Sequence, residues 1–246
     1  MSGAEKKGHG GPATFVLVHG AWHGGWCWRR VADLLRARGH RVFTPTLTGL
    51  ADKSHLADRS IDLNTHVQDV VNLIKWEGLK DVVLCGHSYG GMVISGVAEA
   101  APAGAIASIV YLDAFVPADG KSLFDYTEVE GAEGVEMARI GRETGFVAPI
   151  PAEVFNVNMA DRAWVDAQCT PQSYLCFSQK LRLTGAREKI ARKTYVLATG
   201  YAALQFPAIS APLRDDPAWT YLEVDCGHDV MLDEPERLVE ILEAAA

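Results

Sequence analysis

The ten residues VVLCGHSYGG, Val82 to Gly91, limit what this chain can fold into more than any other stretch. A run of β-branched and apolar residues ends in Gly86-x-Ser88-x-Gly90 and passes directly into MVISGVAEAA, which has the small, apolar composition of a buried helix. The pattern predicts a strand, a sharp turn and a helix in immediate succession. Such an elbow brings neighbouring backbones too close for side chains, which accounts for glycine on both sides of Ser88. It also holds the serine strained, with its hydroxyl exposed, beside helix-start N–H groups that carry partial positive charge. A nucleophile needs both features. The same pattern arises by chance in glycine-rich chains, and the strand before it, the helix after it and a downstream histidine distinguish this one.

The rest of the chain suits a single large α/β domain. Its 246 residues contain no dividing linker, and 48% hydrophobic with 22% charged residues excludes wholesale disorder. A net charge of -8 argues against a nucleic-acid partner, and no apolar run approaches a membrane-spanning length. The opening MSGAEKKGHGGPA reads as a flexible lead-in, because the apolar TFVLVHG behind it is too short for a signal peptide. Cys27, Cys85, Cys169, Cys176 and Cys226 are odd in number and lack the paired spacing of a zinc site. They fit reduced packing cysteines of a cytoplasmic protein, with no metal expected.

In chain order, strands are expected at Thr14 to Val18, Arg41 to Leu47, the elbow, Ala105 to Leu112, Lys193 to Ala198 and Tyr221 to Val224. Helices are expected at Trp28 to Arg38, at Leu63 to Trp76, after the elbow, around Ala208 to Arg214 and from Pro235 to Ala244. In the second of these, Val67, Val70, Val71 and Ile74 recur at helical spacing, so one face packs on a sheet. The alternation predicts a mostly parallel sheet with right-handed crossovers, whose ligands sit at the carboxyl ends of the strands. His19, Ser88 and Asp113 all fall there.

Residues 114–192 break the alternation and read as an inserted helical cap on a core of 1–113 and 193–246. The cap's apolar residues, Phe124, Tyr126, Phe155, Met159, Trp164, Tyr174 and Phe177, more often pack than touch ligands. The candidates to line a substrate pocket are Trp22, Phe115, Phe155, Met159 and Trp164. The basic run KLRLTGAREKIARK reads as a solvated helix face.

A serine nucleophile needs a base within hydrogen-bond reach. His228, in CGHD after the last strand, is placed to be that base, whereas His19, His23 and His87 lie on segments that shape the site. An oxyanion needs two preorganised donors, and the backbone N–H groups of Tyr89 and Ala21 are the candidates.

GHSYGG, FVLVHGAWHGGWCW, TPTLTGL and CGHDVMLDEPERL together resemble the α/β-hydrolase superfamily, in the branch of plant methyl esterases, hydroxynitrile lyases and bacterial esterase relatives. The resemblance spans nearly the whole chain. It implies an α/β-hydrolase fold, Ser88 as nucleophile, His228 as base, Ala21 and Tyr89 as oxyanion donors, and a cap that shapes the pocket. One departure concerns the acid. The family usually carries it after the strand placed here at Lys193 to Ala198, yet TGYAALQFPAIS, Thr199 to Ser210, has no carboxylate. Asp113, at the end of the strand following the elbow, is the alternative, although it could instead only tether the cap. Asp225 and Asp229 could order the histidine loop, and Asp215 and Asp216 belong to the far end of the last strand.

The expected activity is serine hydrolysis of a small, largely apolar carboxylic ester through an acyl-enzyme, without a cofactor. A carbamate or activated amide would use the same machinery. Two alternatives stand beside it. Hydroxynitrile lyases of this branch carry a lysine after the histidine and a threonine in the oxyanion-side loop, where this chain has Asp229 and Ala21. A ligand-binding protein on the same scaffold is the other, since fold does not fix function. The expected partner is a small-molecule ester, and the chain could act alone or as a homodimer.

Overall fold

The computed structural model describes residues 11–127, 132–201 and 205–246. Most of the expected lead-in, with His9, lies outside the described residues.

Strand β1, Thr14–Val18, is followed by a single 3₁₀ turn at Gly25–Trp28 and helix α1, Arg29–Ala37. Strand β2 covers only Arg41–Phe43, shorter than the expected Arg41 to Leu47. Pro45 has no N–H for a ladder, and the Thr44 carbonyl packs against Gly25, where a Cβ would lie 2.2 Å from it. Helix α2, Leu63–Trp76, has the expected bounds and starts with a capping box in which Asp62 accepts the Thr65 N–H at 2.8 Å. It buries the expected stripe of Val67, Val70, Val71 and Ile74.

Strand β3, Val82–His87, is buried throughout and passes through the elbow into α3, Gly90–Ala100. Strand β4 is Ile106–Leu112, β7 is Arg192–Ala198 and β8 is Thr220–Val224. Helix α8, Gln205–Arg214, lies between the last two, and α9, Val230–Asp233, and α10, Pro235–Ala244, end the described fold. These strands form one parallel sheet in the order β2-β1-β3-β4-β7-β8.

From β1 the chain first moves outward to β2 and then returns across it to β3. Right-handed crossovers therefore put α1 and α2 on opposite faces, where α1 packs with α10 and α2 with α3. The carboxyl ends of β1 and β3 diverge at this reversal, which opens the crevice where such sheets bind ligands.

Between β4 and β7 the chain forms α4, Phe124–Thr127, α5, Ala132–Thr144, α6, Arg162–Gln168, and α7, Leu175–Ser178. It also forms a short antiparallel pair, β5 at Phe146–Val147 and β6 at Gln172–Ser173. The basic run near its end is not the expected helix face. It is loop with one 3₁₀ turn at Arg187–Lys189, because Glu99 takes the Gly185 and Ala186 N–H groups and the Thr184 hydroxyl. Arg187 is largely buried and donates to the Pro117 carbonyl at 3.0 Å.

Candidate active site

Ser88 sits between β3 and α3 with φ +54, in the left-handed region that a side chain rarely adopts. Close packing holds it there. A Cβ on Gly86 would lie 2.5 Å from the Gly90 carbonyl oxygen, and one on Gly90 would lie 2.8 Å from that of Val18. The Ser88 N–H donates to Leu112 O, while Ser88 O accepts from Gly91 and Phe115. The elbow is thus bonded to β4 and to the chain leaving it.

Asp113 follows β4 and is fully buried, with φ +40. Its N–H donates to Val196 O at 2.7 Å, and one carboxylate oxygen accepts the Ala198 N–H at 3.1 Å. The other oxygen meets His228 Nδ1 at 2.6 Å, the geometry of a charge-assisted bond. Since a carboxylate only accepts, the proton on Nδ1 leaves Nε2 as the basic nitrogen. His228 is set by its own N–H, which donates to Phe155 O, and by the rings of Phe206, Tyr201 and Phe155 within 5.3 Å. Asp229, buried beside it, binds His23 instead, while Asp225 has no such contact with the His228 ring.

Ser88 and His228 line one cavity of about 80 Å³. Ala21 and Tyr89 line it too, and neither of their N–H groups is donated to a protein acceptor among the described residues. The loop after β1 approaches the elbow so closely that a Cβ on Gly20 would lie 3.0 Å from the Ser88 Cβ. That loop is held by several bonds. His19 Nδ1–H donates to Gly20 O and its Nε2 accepts the Leu47 N–H, a neutral tautomer consistent with burial pushing His19 down to about 3. Trp22, at φ +63, donates its N–H to Gln172 Oε1 and its indole N–H to Val147 O, so β5 and β6 brace the loop.

Of the expected pocket residues, Trp22, Phe115 and Phe155 line the cavity. Met159 and Trp164 do not. Met159 is 83% exposed, and Trp164 packs edge-on against Trp26, behind the loop. Leu123, Thr127, Met137, Ile150 and Phe177 come from the segment between β4 and β7, and Tyr201, Gln205 and Phe206 follow β7. Sequence reasoning missed the latter three, although an aromatic pair just beyond the carboxyl end of a strand was a usable signal. The wall is apolar except for few groups, among them Thr127 Oγ1, which finds no partner among the described residues. A larger open groove of about 610 Å³, lined by Trp26, Arg29 and Thr46 among others, contains neither Ser88 nor His228. Among the described residues no cluster of side chains is suited to hold a metal ion.

A model of the family described as alpha/beta hydrolase matches residues 15–241. The chain belongs to the alpha/beta hydrolase family. Within this family it is 44% identical over 240 residues to the carbendazim hydrolyzing esterase of Nocardioides sp., an alignment that covers 94% of this chain and 99% of that protein. It is 26% identical to the alpha-hydroxynitrile lyase of Arabidopsis thaliana, with 98% of each chain covered. Among solved structures, an extracellular alpha/beta-hydrolase from a Paenibacillus species superposes with a TM-score of 0.82 at 26% identity, covering 96% of this chain and 99% of the other. The expected α/β-hydrolase fold and family are thereby established.

Proposed function

We propose that this alpha/beta hydrolase is an esterase that uses Ser88, His228 and Asp113 to cleave a small, largely apolar carboxylic ester through an acyl-enzyme. The observation that carries the reading is one cavity holding the strained Ser88, two unspent N–H groups and a histidine whose Nδ1 is bound to a buried carboxylate.

In this reading His228 Nε2 takes the Ser88 hydroxyl proton as Oγ attacks the carbonyl carbon. Asp113 holds the ring in the required tautomer and stabilises the imidazolium that forms. The N–H groups of Ala21 and Tyr89 receive the oxyanion, so its charge is met by dipoles already in place. His228 then gives its proton to the leaving alcohol, and a water repeats the sequence to release the acid. The small cavity, with Phe115, Phe177 and Phe206 in its wall, suits a compact apolar acyl group. No step calls on a cofactor.

A carbamate is the second reading, favoured by the similarity to the carbendazim hydrolyzing esterase. Against the lyase alternative, the residue after the histidine is Asp229, an anion held by His23, where a departing cyanide would need a cation. All five cysteines are unpaired, which fits a cytoplasmic location. No helix among the described residues is long and apolar enough to cross a membrane.

The test is a panel of nitrophenyl esters and carbendazim, itself a methyl carbamate, run on wild type and Ser88→Ala, with fluorophosphonate labelling alongside. Turnover and labelling that vanish in the variant support the assignment. A wild-type site that never labels points to the ligand-binding alternative, and unchanged turnover in Ser88→Ala removes the nucleophile.

A further inference from the structure

We propose that His23 and Asp229 form a buried imidazolium–carboxylate pair that grips the Ala21 carbonyl and so positions Ala21, the residue whose N–H is the proposed oxyanion donor, tying it to the loop that carries His228. The proposal rests on the hydrolytic reading above and assigns two residues that make no part of the triad.

The geometry around His23 leaves little freedom. Its Nδ1 lies 2.7 Å from the Ala21 carbonyl oxygen, and its Nε2 lies 3.1 Å from Asp229 Oδ2. A carbonyl oxygen only accepts, so at 2.7 Å Nδ1 must carry a proton. A carboxylate also only accepts, so Nε2 must carry one as well. Both ring nitrogens are donors in the imidazolium alone. The two partners support this from each side. Burial works against the charged ring, but Asp229 overrides it and holds His23 well above the usual histidine range. Burial likewise pushes the Asp229 carboxyl up, yet His23, through its charge and its hydrogen bond, holds it below the usual carboxylate range.

Asp229 Oδ1 also faces His87 Nε2 at 3.7 Å, but the neighbours do not offer a competing charge. Trp26 stacks on the His23 ring at 5.1 Å, Cys169 Sγ lies 4.0 Å from Nδ1, and the His87 ring stands edge-on at 6.3 Å. His87 is neutral, since burial, its largest influence, lowers it and its Nε2–H is given to the His228 carbonyl at 3.0 Å. His23 and Asp229 are at most 2% exposed. Burying an ion pair costs more solvation than its attraction reliably returns, so stability alone is a weak reason for its presence. What the pair does achieve is register. It fixes the carbonyl of Ala21, which lines the cavity, immediately before Trp22 with its left-handed backbone, and it does so from the residue adjoining His228.

Two doubly substituted proteins separate this role from packing. In H23Q/D229N the Gln Nε2 stands in for the ring Nε2, so it can still bond residue 229, but nothing donates to the Ala21 carbonyl. In H23N/D229N the Asn Nδ2 stands in for Nδ1 and keeps that donor. Loss of a whole oxyanion donor costs roughly 10²–10³ in kcat. For a displaced one we expect H23Q/D229N to lose about 10–100-fold in kcat with KM within about threefold, and H23N/D229N to recover most of that loss. Equal kcat in the two proteins, high or low, overturns the proposal. Nitrogen-15 NMR of the wild type at neutral pH tests it without any substitution: both His23 nitrogens should be protonated, and a neutral ring overturns it. If the wild type turns over no ester or carbamate, the hydrolytic reading fails, while the NMR result still reports on the pair.

Discussion

At the scale of single residues, the group that meets His228 Nδ1 is Asp113, the proposed acid. The stretch after β7, Thr199 to Ser210, contains no carboxylate, and its Tyr201 and Phe206 rings lie within 5.0 Å of the imidazole. Asp113 reaches the same imidazole from the neighbouring strand, because β4 and β7 are paired and their carboxyl ends lie side by side. Asp113→Asn keeps the shape but offers Nδ1 an amide in place of a carboxylate, so the required tautomer is no longer enforced. We expect kcat to fall about 10³–10⁴-fold, measured with a nitrophenyl ester against wild type. A loss below about tenfold would return Asp113 to a tethering role.

At the scale of elements, the site is one turn of chain pressed between two others. The elbow depends on missing side chains: a Cβ at Gly86 meets the Gly90 carbonyl and the end of Ile94, and the backbone oxygen cannot simply rotate away. Gly86→Ala should destabilise the fold by about 1–3 kcal/mol, as overpacking does, and should slow fluorophosphonate labelling of Ser88. Denaturant melts and a labelling time course read the two effects. The loop after β1 depends instead on β6, through Gln172 Oε1 and the Trp22 N–H at 2.9 Å. Gln172→Leu leaves that buried N–H without its acceptor, and we expect a lower kcat with a smaller change in KM, seen in steady-state kinetics. An unaltered kcat would mean that the loop holds its shape without β6.

At the scale of the whole molecule, the His23–Asp229 pair links folding stability to pH. A carboxyl held below its usual range contributes stability that is present above about pH 4 and lost as pH falls through its folded value. A histidine held above its usual range contributes stability that is present below about pH 6.5 and lost as pH rises through its folded value. The advantage of wild type over the uncharged H23Q/D229N protein should therefore be greatest between about pH 4 and pH 6.5 and shrink on both sides. Thermal melts of both proteins from pH 3 to 9 check this, and a constant difference would show that the pair is not charged.

The amino-acid sequence by itself determined the alternating core, the elbow and the family, because each is written in short-range terms: hydrophobic period, glycine placed where backbones touch, and a histidine after a strand. Helix α2 was legible to its end residues for that reason. Met159 and Trp164 were not, since whether an apolar side chain faces a cavity, solvent or another ring depends on how residues 114–192 lie over the sheet, and no local periodicity records that. Only the tertiary structure brought Asp113 to His228 across 115 positions of sequence and Asp229 to His23 across 206. Both contacts form between loops at the carboxyl ends of different strands. Strand order therefore decides them, and strand order is a property of the assembled sheet.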